Sequence, residues 1–304
     1  MRWSCHGLAL WSVAIAVSAA LSGGCRMNEA TGHRELLVVV ESSIYEALQA
    51  SIDQYAETVQ LEGVNVHVQP WEPGTVEELK ALLFEYDDLF DIEGALLVGA
   101  LPSAWYEQVA FNFDEEFPMD LYLQDRDAVW LDQDGDGMFD SHSDLNLDFY
   151  TSRLDGTPAE LEEYFARLEY YRIVGHLVDV LAFVFIDDDW IHVTRTDAFG
   201  LDRLYHTVEI SWDPVETTAE AYVTKLTGGG AEFVYQWMHS GSEFVQFDQL
   251  NEFGQLIKPR ITKDELVEYN VAGSFYNLFN CSAARFDNPN LAQVYTVGTD
   301  HGLA

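Results

Sequence analysis

Side chains that could carry out covalent catalysis follow three strand-like runs of the sequence, the first of them strongly apolar. Asp187, Asp188 and Asp189 come after residues 181–186, His239 after 233–238 and Cys281 after 274–280. Each run predicts a strand, and the carboxyl ends of parallel strands meet at one edge of a sheet. A cysteine beside an imidazole is a nucleophile with its base, and a carboxylate orients the imidazole. The spacing favours a Cys281–His239 pair; a buried structural cysteine and a non-catalytic histidine are the alternatives.

The start of the chain predicts export. Arg2 precedes an apolar stretch at 8–21 that is short for a membrane span, and small residues precede Cys25. The run ending at Cys25 resembles a bacterial lipobox, so residues 1–25 are expected to be a lipoprotein signal and 26–34 a tether. We predict an outer-membrane or cell-surface lipoprotein, with a periplasmic or secreted protein as the alternative. Membrane contact is expected only through the lipid on Cys25.

Cysteine usage makes the thiol at Cys281 conspicuous. The chain has 3 cysteines, and Cys5 and Cys25 belong to the predicted signal. Cys281 is then the only thiol of the folded part, so no intrachain disulfide can form. An unpaired thiol in an oxidising compartment is a liability unless it is buried or has a function.

A second group of carboxylates has the spacing of a calcium loop. Asp132, Asp134, Asp136 and Asp140 occupy positions one, three, five and nine of such a loop, Gly137 occupies six and Met138 occupies seven, where a main-chain carbonyl binds the ion. The glutamate expected at twelve is replaced by Ser143. We predict a structural Ca²⁺ site; an acidic turn without an ion is the alternative.

Alternating strands and helices are expected to position these groups. Apolar runs at 36–40, 64–68 and 95–98 are separated by amphipathic helices, the second of which begins with a Thr75–Glu78 capping box. After an irregular middle, Thr157–Glu160 and Thr262–Glu265 mark two more helix starts, and Pro214 is expected to begin another helix. Continuous apolar strands of this kind predict parallel sheets that are covered on both faces.

The segments around His239 and Cys281 resemble a known family. Residues 233–242 resemble the strand-His-Gly motif of gingipain-like cysteine peptidases, which are relatives of caspases and legumains. Residues 276–287 resemble the strand of that family that ends in the catalytic cysteine, and 291–304 its following helix and glycine turn. Residues 119–122, Trp130 and the aspartate loop resemble the segment that joins the family's two subdomains.

The resemblance implies an α/β fold, a caspase and gingipain-like three-layer sandwich with mostly parallel sheets and two α/β subdomains. We expect an N-terminal subdomain at 35–156, which contains the aspartate loop, and a catalytic subdomain at 157–304. The implied activity is that of a cysteine endopeptidase on protein or peptide substrates. Cys281 is the implied nucleophile, His239 the base and Gly241 the main-chain oxyanion donor. In that family an acidic side chain on the first catalytic strand supports the histidine; Asp187, Asp188 or Asp189 could fill this place, with Asp188 expected, and a solvated loop or cation site is the alternative.

Two departures from the family pattern fit either a divergent active subgroup or a homologue that has lost activity. Ser240 separates His239 from Gly241, and Asn280 replaces the small residue that precedes the cysteine in the family. The alternative function is therefore that of an inactive homologue, a calcium-binding adhesion or binding protein at the cell surface. The chain also ends at Ala304, where the family continues into another strand, so the catalytic unit is expected to be truncated.

The charge of the chain limits which partners it can bind. The chain has 15 Lys and Arg against 52 Asp and Glu, a formal net charge of -37, so nucleic acid is excluded as a partner and divalent cations are attracted.

A plain doubly wound ligand-binding domain would need a phosphate-binding glycine loop. The glycines at 228–230 follow a helix rather than a strand, so no organic cofactor is predicted.

Overall fold

Two four-stranded sheets, each with parallel strands throughout, form the centre of the protein. The computed structural model describes residues 34–110, 112–187, 190 and 200–304. The first sheet consists of β1 (Arg34–Glu41), β2 (Val64–Trp71), β3 (Gly94–Val98) and β8 (Tyr150–Leu154), in the order β2-β1-β3-β8. The second consists of β9 (Ala182–Ile186), β10 (Val208–Ser211), β11 (Ala231–Trp237) and β17 (Gly273–Phe279), in the order β10-β9-β11-β17. The predicted α/β class with mostly parallel sheets is therefore confirmed.

Helices connect the parallel strands, and short antiparallel pairs extend the loops. The helices are α1 (Ser42–Gln60), α2 (Val76–Phe90), α3 (Leu121–Gln124), α4 (Pro158–Ile173), α5 (Ala219–Thr227), α6 (Lys263–Tyr269) and α7 (Leu291–Thr296). The pairs are β4 (Ala104–Ala110) with β5 (Phe113–Met119), β6 (Trp130–Leu131) with β7 (Ser141–His142), and β14 (Gln249–Leu250) with β15 (Leu256–Ile257). A small three-stranded sheet contains β12 (His239–Gly241), β13 (Phe244–Gln246) and β16 (Arg260–Thr262). None of the helices in the described ranges has the length and apolarity needed to cross a bilayer.

Threonine capping boxes set the starts of α2, α4 and α6, as predicted. In each, the threonine hydroxyl accepts a hydrogen bond from the N–H three residues on, and the glutamate at that position accepts one from the threonine N–H. Such a cap stabilises a helix by about 1 kcal/mol. The predicted helix start at Pro214 is wrong. Residues 213–216 form a turn, in which the Asp213 carboxylate accepts from the Val215 N–H, and α5 begins later, after its cap Thr218.

Both faces of the first sheet are covered. One face packs against α1 and α4, including Leu48 and Phe165, and the other packs against α2 and α3, including Leu83 and Leu123. Helix α4 begins directly after the predicted subdomain boundary at 156, yet it packs against α1 and the core of the first sheet. This helix of the predicted catalytic subdomain therefore belongs to the hydrophobic core of the first sheet.

The second sheet carries its main core under α5, α6 and α7. Phe185, Tyr222 and Phe247 are completely buried in it. Burial of side chains of this size stabilises the fold by roughly 1.5–3 kcal/mol each. The last residues of the chain lie along the outer edge of β17, where the Ala304 carbonyl accepts a 2.7 Å hydrogen bond from the Tyr276 N–H. The sheet and its helices thus hold the carboxyl ends of β9, β11 and β17 in fixed register.

The middle of the chain is more regular than its sequence suggests. The β4–β5 hairpin and β8 lie in the stretch that was expected to be irregular. Strand β8 has only one buried residue, Leu154, and its Arg153 forms an ion pair with Asp120 at 2.8 Å. A strand that places so few apolar side chains in the core lacks the periodicity by which strands are recognised.

Candidate active site at the carboxyl edge of the second sheet

His239 and Cys281 follow the ends of neighbouring parallel strands. Trp237 and Phe279 are the last paired residues of β11 and β17, and the Met238 N–H extends the pairing to the Phe279 carbonyl at 3.4 Å. His239 and Cys281 therefore occupy equivalent positions, each the second residue beyond its strand. Cys281 is exposed and His239 is half-buried. The structure thus brings the predicted nucleophile and base to adjacent places at one edge of the sheet.

A hydrogen bond joins the two segments beyond the strand ends. The Ser240 hydroxyl donates to the main-chain carbonyl of Cys281 at 2.6 Å. Ser240, which separates His239 from Gly241, therefore joins the His239 segment to the Cys281 segment. The Trp190 ring lies beside the His239 ring, with 4.5 Å between their centroids. Contacts on both sides therefore restrict this part of the site.

The backbone directly after Cys281 adopts a left-handed conformation. Ser282 has φ 55°, which costs a non-glycine residue roughly 1 kcal/mol and is more frequent at functional sites than elsewhere. The Arg285 N–H closes the turn by donating to the Ser282 carbonyl at 3.2 Å. The sharp turn leaves the thiol-bearing residue exposed at the strand end, which is the presentation that a nucleophile requires.

A buried polar chain leads from the core to the residue before Cys281. The Tyr222 hydroxyl donates to Gln236 Oε1 at 2.7 Å, and Gln236 Nε2 donates to Asn280 Oδ1 at 3.2 Å. The Tyr295 hydroxyl lies 2.9 Å from that of Tyr222, and burial raises the pKa of Tyr222 well above its usual value. Asn280, the second departure from the family pattern, is thus bonded to the core through Gln236.

Asp187, the first of the aspartates after β9, lies at the same edge. Ile186 is paired with Trp237, which brings Asp187 level with Met238. Asp187 is completely buried, and its Oδ2 accepts a 3.1 Å hydrogen bond from the Asp248 N–H. Asp187 therefore anchors the segment that follows β13. Asp188, the predicted partner of the histidine, and Asp189 lie outside the described residues, as does Cys25, so their roles stay predictions.

Gly241 is a glycine because Phe244 packs directly on it. A Cβ atom at Gly241 would lie 2.9 Å from Cε1 of the Phe244 ring, which is closer than carbon atoms pack. The two residues are paired in the β12–β13 hairpin. The glycine that was predicted to help hold the oxyanion therefore has a packing reason of its own, and its role in catalysis stays a prediction.

The turn after Cys281 docks on the β4–β5 hairpin of the first half of the chain. Arg285 donates from Nη1 to the Glu116 carbonyl at 2.8 Å and from Nε to Asp287 at 3.0 Å, and its guanidinium lies 5.6 Å from the centre of the Trp105 ring. This charge-assisted contact fixes the turn after Cys281 against the β4–β5 hairpin. No short-range sequence pattern indicates it, because Glu116 and Arg285 are 169 residues apart.

Candidate metal centre in the aspartate loop

The predicted calcium loop connects β6 to β7 and brings its carboxylates together. Oxygen atoms of Asp132, Asp134 and Asp136 lie within 4.8 Å of one another, so they are close enough to hold a metal ion. Asp132 accepts hydrogen bonds from the N–H groups of Gly135 and Gly137, at 2.6 Å and 3.0 Å. The loop is therefore wrapped around its acidic side chains.

A further carboxylate comes from outside the loop. Glu107 on β4 forms a second cluster with Asp134 and Asp140, again with oxygen atoms within 4.8 Å. The Glu107 N–H donates to the Phe139 carbonyl at 3.0 Å, which holds the loop against β4. Partial burial, and next the negative charges of Asp136 and Asp134, raise the pKa of Glu107 to about 7. The sequence-based prediction missed this residue.

No protein-family model, characterised protein or solved structure matches this chain. The two places where reactive or ligating groups converge are therefore the observations from which a function can be inferred. One is the edge with His239 and Cys281, and the other is the acidic cluster around Asp134.

Proposed function

We propose that the protein is a cysteine endopeptidase in which Cys281 is the nucleophile and His239 the base. The observation that carries the proposal is the placement of these residues at equivalent positions beyond β11 and β17, joined by the Ser240–Cys281 hydrogen bond. The exposed thiol and the left-handed turn at Ser282 support it. Two parallel sheets with helices on their faces are also compatible with the resemblance to gingipain-like and caspase-like peptidases.

The proposed reaction proceeds through a thioester. His239 takes the proton of the Cys281 thiol, and the thiolate adds to the carbonyl carbon of the scissile peptide bond. The main-chain amide at Gly241 stabilises the oxyanion, and the histidine returns the proton to the leaving amine. Water then hydrolyses the thioester and restores the thiol. Asp188 holds the imidazole in the orientation that this proton transfer requires.

We further propose that the aspartate loop binds Ca²⁺ in a structural role. Hard oxygen ligands that wrap around one point suit Ca²⁺, which takes six to eight oxygens. Asp132, Asp134, Asp136, Asp140 and the main-chain carbonyl of Met138 would hold the ion, and Glu107 would supply the carboxylate that the loop lacks at its twelfth position. The ion would neutralise repulsion within the cluster.

The proposed setting is extracytoplasmic. The predicted signal and lipid attachment at Cys25 place the peptidase at the outer membrane or cell surface, or else in the periplasm or medium, with protein or peptide substrates. The large negative charge of the chain keeps such a protein soluble and disfavours nucleic acid.

A peptide library tests the proposal. Purified protein with Ca²⁺ is incubated with mixed peptides beside Cys281→Ala and His239→Ala variants, and the products are identified by mass spectrometry. We expect turnover that falls at least ~1000-fold in both variants. Absence of turnover by folded parent protein would contradict the peptidase proposal and favour the calcium-binding surface protein, an inactive homologue with a binding or adhesion role.

A further inference from the structure

We propose that Arg260 binds a carboxylate group of the peptide substrate and thereby sets specificity. This inference rests on the proposed peptidase function, because it assigns the substrate class of the same site. Arg260 lies on β16 of the small sheet that begins with His239, and its guanidinium is exposed.

The small sheet places Arg260 on the same face as His239. His239 is paired with Gln246, and Gln246 is paired with Arg260, all in antiparallel register. Directly opposite residues of antiparallel strands project to the same face. The neighbouring residues Val245 and Ile261 are buried in the core on the other face. The row from His239 to Arg260 therefore faces away from the core.

Two contacts hold the guanidinium in place. It lies over the Phe244 ring, 4.0 Å from the ring centre, and Arg260 Nε donates to Gln246 Oε1 at 3.0 Å. With one face stacked and Nε bonded, the terminal N–H groups of this exposed residue form a fork without a protein partner among the described residues. An arginine that is already ordered loses little side-chain entropy when it binds a carboxylate in bidentate fashion.

The charge pattern distinguishes Arg260 from the basic residues near it. Lys258 pairs with Asp248 and Lys263 pairs with Glu243, at 2.5 Å and 2.9 Å. No carboxylate among the described residues forms an ion pair with Arg260, although the chain has 52 acidic residues. An ordered cation without a carboxylate partner is thus retained beside the proposed base in a strongly acidic protein.

The distance between His239 and Arg260 determines which part of a substrate Arg260 can reach. Two strand spacings of about 4.8 Å separate the backbones of His239 and Arg260, or about 10 Å. An extended peptide advances about 3.3 Å per residue. The carboxylate should therefore lie within about three residues of the scissile bond, and it can belong to an aspartate or glutamate side chain or to the peptide terminus.

Binding to a protein that cannot turn over tests this inference separately from catalysis. The Cys281→Ala protein is titrated with three fluorescent peptides: one with an internal aspartate or glutamate and an amidated end, one neutral with a free terminal carboxylate, and one fully neutral. We expect one of the acid-bearing peptides to bind about tenfold more tightly than the neutral one, which identifies the source of the carboxylate.

Arg260→Gln should abolish that preference, and Arg260→Lys should retain only part of it because the fork is lost. Arg34→Gln, an equal loss of charge on the first sheet, should leave the preference unchanged. Equal binding of all three peptides, including no binding by any of them, or a preference that survives in Arg260→Gln, would overturn the inference. Failure of the peptide-library turnover experiment would instead count against the peptidase proposal alone.

Discussion

The Ser240 hydroxyl donates a 2.6 Å hydrogen bond to the carbonyl of Cys281, so the residue after the proposed base is tied to the proposed nucleophile. The tie crosses between segments that follow neighbouring strands and lie 41 residues apart. It gives a structural reason for the extra residue between His239 and Gly241. The relative placement of the His239 and Cys281 segments thus depends on this hydrogen bond as well as on the sheet register.

Replacing Ser240 with alanine should loosen this geometry. The lost hydrogen bond should lower the free energy of unfolding by about 1 kcal/mol, and turnover of a good peptide should fall by about tenfold because positioning is sensitive to small shifts. Denaturant unfolding and peptide kinetics measure the two effects. Ser242→Ala, in the same hairpin, is the matched control. Equal effects from both variants would argue against the tie.

Replacing Arg285 with methionine should free the turn that follows Cys281. Methionine keeps an apolar stem over Trp105 but loses the charge-assisted bond to the Glu116 carbonyl, which should lower the free energy of unfolding by about 1–2 kcal/mol. Turnover should also fall, because the turn positions the nucleophile. Arg34→Met removes an exposed ion pair with Glu93 and should alter neither quantity appreciably. Unchanged kinetics in Arg285→Met would show that the turn is positioned by other contacts.

Calcium should stabilise the folded protein against heat. Ligand binding to the native state alone raises stability by about 2.7 kcal/mol at a hundredfold excess over the dissociation constant, and chelator should reverse the gain. Asp134 belongs to both acidic clusters, so Asp134→Asn should remove most of the calcium-dependent rise in Tm. Glu115→Gln, on β5 outside the clusters, is the control. A calcium-dependent rise that persists in Asp134→Asn would place the ion elsewhere.

Without calcium, the stability of the protein should depend on pH through Glu107. Its pKa in the folded state is raised from 4.5 to about 7, so the folded state binds a proton more tightly than the unfolded state does. The corresponding stabilisation is fully present below pH 4.5 and is lost as the pH rises through about 7. Unfolding in chelator across this range measures it, and Glu107→Gln should flatten the profile. An unchanged profile in that variant would contradict the assignment.

The strands and their polar ends were accessible from the sequence for a simple reason. The run at β9 is continuous, apolar and buried, and β11 and β17 are rich in aromatic and aliphatic residues, so His239 and Cys281 could be placed just beyond strand ends. The capping boxes could be predicted as well, because each depends on two residues that are three positions apart in the sequence. The helix start predicted at Pro214 is wrong because proline also occurs in turns. Here the Asp213 carboxylate stabilises a turn by accepting a hydrogen bond from the Val215 N–H.

Contacts between distant segments could not be predicted from local sequence patterns. Glu107 joins the metal cluster because the β4–β5 hairpin lies against the aspartate loop. Asn112 is a residue type that tolerates the left-handed conformation of a tight turn, and it has φ 67° here, but a single asparagine does not predict which segment the hairpin contacts. Arg260 shares a row with His239 only because β13 lies between them, and strand order in a small antiparallel sheet is not encoded in periodicity.

The most direct test of the central claim is the rate at which iodoacetamide alkylates Cys281 as a function of pH, in the parent and in His239→Ala. A free thiol with a pKa of about 8.5 is only about 1% thiolate at pH 6.5. We predict that Cys281 of the parent is alkylated at pH 6.5 at least about tenfold faster than a free thiol. In His239→Ala, the alkylation rate should fall to that of a free thiol. Identical pH profiles that follow an ordinary thiol in both proteins would contradict the Cys281–His239 pair.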